Sequence, residues 1–121
     1  MQALAFRQAM SQPIGTMDKQ SLVLQARLIS EEYIEFLDSH IEVVNYPNHD
    51  ASKEMALKEL ADLVFVCYQY AAAAGWELDE ALDRVYESNM SKLVDGKPVK
   101  NEFGKVTKGP NYKPPYLADL V

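Results

Sequence analysis

Apolar and polar residues alternate with a helical period over most of this chain. From Asp18 to about Asn45 there is no Pro or Gly, and Leu22, Ala26, Ile29, Tyr33, Phe36 and Leu37 recur at the spacing of one helical stripe. Asp18 offers the side-chain oxygen of an N-cap. At about 100° per residue, Leu24 and Leu28 fall on a second side and Val23, Ile34 and Ile41 on a third. A long helix that is apolar on several faces is expected to be wrapped by neighbours or to enter a subunit interface.

Tyr46-Pro47-Asn48-His49-Asp50 reads as a turn. A second long helix is expected from Ala51 to about Ala74, closed by Gly75 as a C-terminal cap. Its latter half carries one acid, and its four alanines at 71 to 74 allow close backbone approach, as at the centre of a bundle or dimer. Before these helices, Met1 to about Met10 predicts a short helix or docked arm, stopped by Gln12-Pro13-Ile14-Gly15-Thr16. After them, Trp76-Glu77-Leu78-Asp79 leads into a third substantial helix running to about Leu93, with Leu78, Leu82, Val85, Tyr86 and Met90 facing inward. Residues 94–121 change character: turn residues and five lysines alternate with Val99, Phe103, Val106, Tyr112 and Tyr116. That composition predicts an extended basic arm, folded back as a short hairpin, that is too apolar for a disordered tail. The expected fold is all-α: one domain over residues 1–121, a helical bundle of about four helices with an extended basic C-terminal arm over 94–121, dimerising through the central helices.

Composition narrows the function classes. The chain has 121 residues, 48% of them apolar, and a formal charge of −6. A size and apolar content of this kind suit a single core. The negative charge argues against a nucleic-acid polymer or an anionic membrane as partner, because both are held by clustered Lys and Arg. Cys67 is the single cysteine, so no internal disulfide can form, and its apolar neighbours predict a buried thiol. No apolar run suits a signal peptide or the roughly 18 residues of a membrane span, so a cytoplasmic protein is expected.

Two acid clusters change the picture most. Glu31, Glu32 and Glu35 lie in the first long helix, and Glu59 and Asp62 in the second. Solvated faces are the ordinary fate of acids. Here, however, Glu32 and Glu35 share the sector of Leu24 and Leu28, with Glu31 at its edge, and Glu59 and Asp62 share the side of Leu63, Val66, Tyr70 and Ala73. Four acids therefore stand where burial is expected, and buried carboxylates must be protonated, paired with cations or bound to metal. Lys53 and Lys58 are the nearby cations, and Lys58 is read as pointing away from the acid row. Oxygen ligands without His or Cys select Mg²⁺, with Mn²⁺ as a substitute, and such ions commonly bridge to substrate phosphates. Phosphate-ester or phosphoanhydride hydrolysis is the leading chemistry. A di-iron bundle needs Glu-x-x-His pairs, which are missing, and His40 and His49 read as surface or turn residues. Asn89 and Lys92, at i, i+3, are either decoration of a helix C-terminus or, beside a metal cage, a sugar or base reader and a phosphate contact.

These residues resemble the MazG-like branch of the all-α nucleoside triphosphate pyrophosphatase superfamily. The family pattern Glu-Glu-x-x-Glu followed by Glu-x-x-Asp is matched by Glu31, Glu32 and Glu35, then Glu59 and Asp62. Asn89-Met90-Ser91-Lys92 resembles its Asn-x-x-Lys element. Residues 104–115, Gly-Lys-Val-x-Lys-x-Pro-Asn-Tyr-x-Pro-Pro, resemble the tail of phosphoribosyl-ATP pyrophosphohydrolase-like members, phage-type ones included. The resemblance implies Mg²⁺-dependent cleavage of a nucleoside triphosphate, expected to be a dNTP, between the α and β phosphates, by a homodimer or homotetramer in the cytoplasm of a bacterium or of a phage's host. It implies Glu32, Glu35, Glu59 and Asp62 as metal ligands, with Glu31 a further ligand or the base. Lys92, Lys105 and Lys108 would face phosphates, Asn89 the sugar, and Tyr112 or Phe6 the base. Two other classes stay open: a non-catalytic helical interaction module, and a regulatory nucleotide-binding protein that keeps the cage without turnover.

Overall fold

The computed structural model describes residues 2–121 and is all-α, with four α-helices and no strands among those residues. The helices are α1 (Gln2–Ala9), α2 (Lys19–Asn45), α3 (Asp50–Ala74) and α4 (Leu78–Met90), followed by a 3₁₀ turn at Ala118–Leu120. Among the described residues no helix is long and apolar enough to cross a membrane. Packing divides the chain into two compact units, the first ending at Trp76 and the second beginning at Glu77.

In the first unit, α2 and α3 pack as an antiparallel pair, and α1 lies against α3. Both ends of this pair form as expected. Asp18 caps α2 by accepting a 2.9 Å hydrogen bond from the Ser21 N–H. Gly75 closes α3 in the left-handed region at φ 83°, while the Trp76 N–H reaches Ala71 O at 2.9 Å. The α1–α2 loop satisfies two further carbonyls of α3, through Gly15 N–H to Ala72 O at 2.9 Å and Thr16 N–H to Ala73 O at 3.0 Å. Arg7 pins α1 in place: it is 1% exposed and donates to Pro13 O (2.8 Å), Gln69 Oε1 (3.3 Å) and Ser21 Oγ (3.2 Å). The four alanines at 71 to 74 are buried, as are Ala3 and Val66, whereas Ile34, Ile41, Leu57 and Val64 are exposed.

The second unit departs from expectation in three ways. α4 ends at Met90 rather than about Leu93, because the Ser91 hydroxyl donates to Ser88 O (2.6 Å) and accepts from the Lys113 N–H (2.9 Å), turning the chain into its return segment. Leu82, Tyr86 and Met90 are exposed rather than inward-facing, and the buried position of α4 is Ser88, whose hydroxyl donates to Lys113 O at 2.7 Å. The expected hairpin is reduced to isolated bridges, Val94 with Lys97 and Lys100 with Val106, around a turn in which Asn101 Oδ1 accepts from the N–H groups of Phe103 and Lys105. The return segment is then fixed to α4 by Arg84, which donates to Tyr116 O at 3.0 Å and to both carboxylate oxygens of Asp119 at 2.6 and 3.0 Å.

Candidate functional site

On α2, Gln25 lies four positions after Ser21 and Glu32 seven positions after Gln25, so the three lie along one side of the helix. Ser21 and Gln25 are buried, and Glu32 is half-buried. On α3, Glu59 and Gln69 are buried and Asp62 is half-buried. Glu32, Glu59 and Asp62 each contribute a carboxylate oxygen to a cluster in which all three atoms lie within 4.8 Å of one another. Glu35, one turn along α2, is placed to accept a hydrogen bond from the Glu32 carboxyl when that group is protonated.

The structure thus brings three of the five acids singled out from the sequence, Glu32, Glu59 and Asp62, into one cluster, with Glu35 beside Glu32. Of the four acids for which burial is expected only Glu59 is buried, at 8% exposure, while Glu32 and Asp62 are half-buried and Glu35, one turn beyond Glu32, is exposed, because charged carboxylates keep to solvent where nothing pairs them. Glu31 is also exposed and lies outside the cluster of close oxygens. Within the cluster, Glu32 Oε2 and Glu59 Oε2 are buried oxygens without a hydrogen-bond donor. Such groups are costly to hold unless something else satisfies them. Burial pushes the Glu32 carboxyl above the ordinary carboxylate range, and the hydrogen bond to Glu35 and the charges of Glu35, Asp62 and Glu59 push it the same way.

Lys58 overturns its sequence reading. Its ammonium lies 2.8 Å from Asp62 Oδ2 and 3.6 Å from Glu59 Oε1. Hydrogen bonding to Asp62, with the charges of Asp62 and Glu59, raises the Lys58 pKa. On the helical wheel Lys58 stands about 100° from Glu59 but only about 40° from Asp62, and its long stem covers the difference. The i, i+4 spacing to Asp62 was the signal available in the sequence. Lys53, the other nearby cation, pairs instead with Asp50 at 3.6 Å.

The remaining candidates are spread over both units. Phe6 is half-buried and meets Phe65 edge-on, with ring centroids 5.6 Å apart. In the second unit, Asn89 is exposed and its carbonyl accepts from the Lys92 N–H at 3.2 Å, at the frayed end of α4. Lys92 is half-buried and Lys105 exposed. The Lys108 ammonium sits 4.9 Å from the centre of the Tyr112 ring, a cation–π pair. His40 and His49 are both exposed, as expected. Cys67 is half-buried, and that burial raises its thiol pKa.

An all-carboxylate set with two orphaned inner oxygens fits a hard divalent cation such as Mg²⁺ or Mn²⁺, whose oxygen coordination is completed by water or by oxygens of a bound molecule. Glu32, Glu59 and Asp62 are placed to hold it, with Glu35 one turn away on the open side. Comparison of the sequence with protein-family models and with curated proteins finds no match.

Proposed function

We propose that this chain is a Mg²⁺-dependent nucleoside triphosphate pyrophosphohydrolase, which consumes one water to break the α–β phosphoanhydride bond of an NTP or dNTP, giving the nucleoside monophosphate and pyrophosphate. The observation that carries the reading is the pair of buried, unpartnered oxygens of Glu32 and Glu59 within a cluster of carboxylates drawn from two helices. The match of Glu31, Glu32, Glu35, Glu59 and Asp62 to the MazG-like motif supplies the reaction type.

In this reading Glu32, Glu35, Glu59 and Asp62 hold the cation, and the rigid α2–α3 pair keeps them in register. Mg²⁺ or Mn²⁺, when bound, supplies the positive charge that offsets the triphosphate and acidifies the attacking water. Glu31, exposed beside the cluster, is free to take the proton that water loses, or to add a further ligand. Asn89, Lys92, Lys105, Lys108 and Tyr112 are carried as substrate contacts on the motif resemblance: lysines to phosphates, Asn89 to the sugar and Tyr112 to the base. A homodimer or homotetramer is proposed through the exposed apolar residues of α2 and α3, with the protein working in the cytoplasm of a bacterium or of a phage's host.

The test is release of pyrophosphate from a panel of dNTPs and NTPs with Mg²⁺, for the wild type and for Glu35→Gln and Asp62→Asn. Activity in the wild type and at least a hundredfold loss in both variants is expected, on the scale of removing a group that stabilises transition-state charge. Undiminished turnover in both variants sinks the assignment. The second reading, a non-catalytic interaction module, draws on Lys58, which already gives Asp62 a counter-ion. It predicts that divalent metal leaves the thermal unfolding midpoint unmoved. A regulatory nucleotide-binding protein would instead bind dNTP and metal at equilibrium and release no pyrophosphate.

A further inference from the structure

We propose that Lys58 is a resident counter-ion that a divalent cation must displace, so that Lys58 sets the metal concentration at which the acid cluster fills. The inference rests on the metal-binding reading of that cluster and adds a regulator to it.

Two of the proposed ligand carboxylates are already engaged by this ammonium, Asp62 at 2.8 Å and Glu59 at 3.6 Å. A metal ion needs lone pairs of those same groups, and two cations cannot share them without strong repulsion at such distances. The Lys58 side chain is 62% exposed, so its four-carbon stem can turn into water without opening the helix pair. Its reach is built into the helix: Lys58 directly precedes Glu59 and stands one turn before Asp62. The ammonium also neutralises only the rim of the cluster. Glu32 Oε2 and Glu59 Oε2 keep no donor, and Glu32 remains pressed by the charges of Glu35, Asp62 and Glu59. The arrangement therefore tempers the attraction for metal without cancelling it. Exchange of a monovalent internal cation for a divalent external one raises the apparent Kd of the site and leaves the shape of its binding curve unchanged.

Mn²⁺ is titrated into the nucleotide-free wild type, Lys58→Gln and Lys58→Arg at one ionic strength, by calorimetry, and thermal unfolding is followed with and without the ion. Lys58→Gln is expected to bind Mn²⁺ about two- to fivefold more tightly than the wild type, the ratio that an exposed ion pair of ordinary strength imposes. Without metal the same variant should melt lower than the wild type, and its midpoint should rise further on adding Mn²⁺. Lys58→Arg, which keeps the charge, should match the wild type. A merely structural Lys58 would lower both midpoints equally and leave the Kd unchanged. Equal or weaker Mn²⁺ binding by Lys58→Gln, with binding intact in the wild type, overturns this proposal alone. Absence of Mn²⁺ binding in all three proteins overturns the metal reading, and this proposal with it.

Discussion

Neutralising Glu32 is expected to stabilise the metal-free protein while removing its response to metal. The Glu32, Glu59 and Asp62 oxygens lie within 4.8 Å of one another. At that separation one pair of unit charges repels by about 0.9 kcal/mol in a water-like dielectric and about 3.5 kcal/mol at an effective dielectric of about 20. Glu32→Gln relieves two such pairs and offers an amide N–H₂ to the unpartnered Oε2 of Glu59. Glu32 and Asp62 are half-buried, so the water-like value applies, and a gain of about 1–2 kcal/mol follows, which for a chain of this size raises the melting midpoint by roughly 3–10 °C. The pH dependence carries a second signature. Because the Glu32 carboxyl is held above its unfolded value, its contribution to stability is fully present below the unfolded pKa and is lost as pH rises through the folded one. The metal-free wild type should therefore gain stability relative to Glu32→Gln as pH is lowered from 7 toward 5. Saturating Mg²⁺, at 100 times its Kd, should stabilise the wild type by about 2.7 kcal/mol and leave the variant nearly unchanged. Differential scanning calorimetry across pH, with and without Mg²⁺, reads all of this. A Glu32→Gln midpoint below the wild type at pH 7, or a full Mg²⁺ response in the variant, refutes the reasoning.

Gly75→Ala should destabilise the first unit by about 1–3 kcal/mol, since a non-glycine residue is strained at φ 83° and the added Cβ would stand 3.0 Å from Gly15 Cα. Urea unfolding should show a lower midpoint at unchanged slope, and a shift below about 0.5 kcal/mol would contradict the close approach of the two glycines. If the exposed apolar residues of α2 and α3 meet a second copy, the unfolding midpoint rises with protein concentration. A midpoint constant over a hundredfold range of concentration, with a monomer mass by light scattering, would remove the oligomer from the proposed function.

Features fixed within a turn or two were legible in the sequence. The Asp18 cap, the left-handed Gly75 and the shared face of Glu59 and Asp62 each depend on neighbours a few residues away, and each stands where periodicity and residue type put it. What was not legible depends on distant partners or on side-chain length. α4 stops early because Ser91 meets Lys113, a contact across 22 positions that no local pattern encodes. The contact of Lys58 with Glu59 lies beyond a helical wheel, which gives each residue a direction and no reach, although the i, i+4 spacing to Asp62 was there to be read. The burial of Arg7 was equally hidden. Its acceptors Pro13, Ser21 and Gln69 are uncharged and come from three segments, so no charge pattern announces the site.

The first unit inverts the usual assignment of faces. Arg7, Gln25, Gln69 and Glu59 are buried, while Ile34, Ile41, Leu57 and Val64 are left 48–67% exposed. Burying one such aliphatic side chain fully is worth about 1.5–3 kcal/mol, so four half-exposed ones leave several kcal/mol unused, a sizeable share of the 5–15 kcal/mol that holds a typical domain together. The buried polar groups add a cost of their own, because Gln25 Oε1, Glu32 Oε2 and Glu59 Oε2 lack donors. A helix pair selected for stability alone would exchange the two sets. Arg7 and Gln69 satisfy each other, but the donor-less oxygens of Glu32 and Glu59 and the outer apolar residues meet nothing inside the unit, and the proposed cation and the proposed second copy would meet them. The two requirements also reinforce each other. A partner packed on the outer stripe would stiffen α2 and α3 and hold Glu32 opposite Glu59 and Asp62, lowering the ordering cost of metal binding.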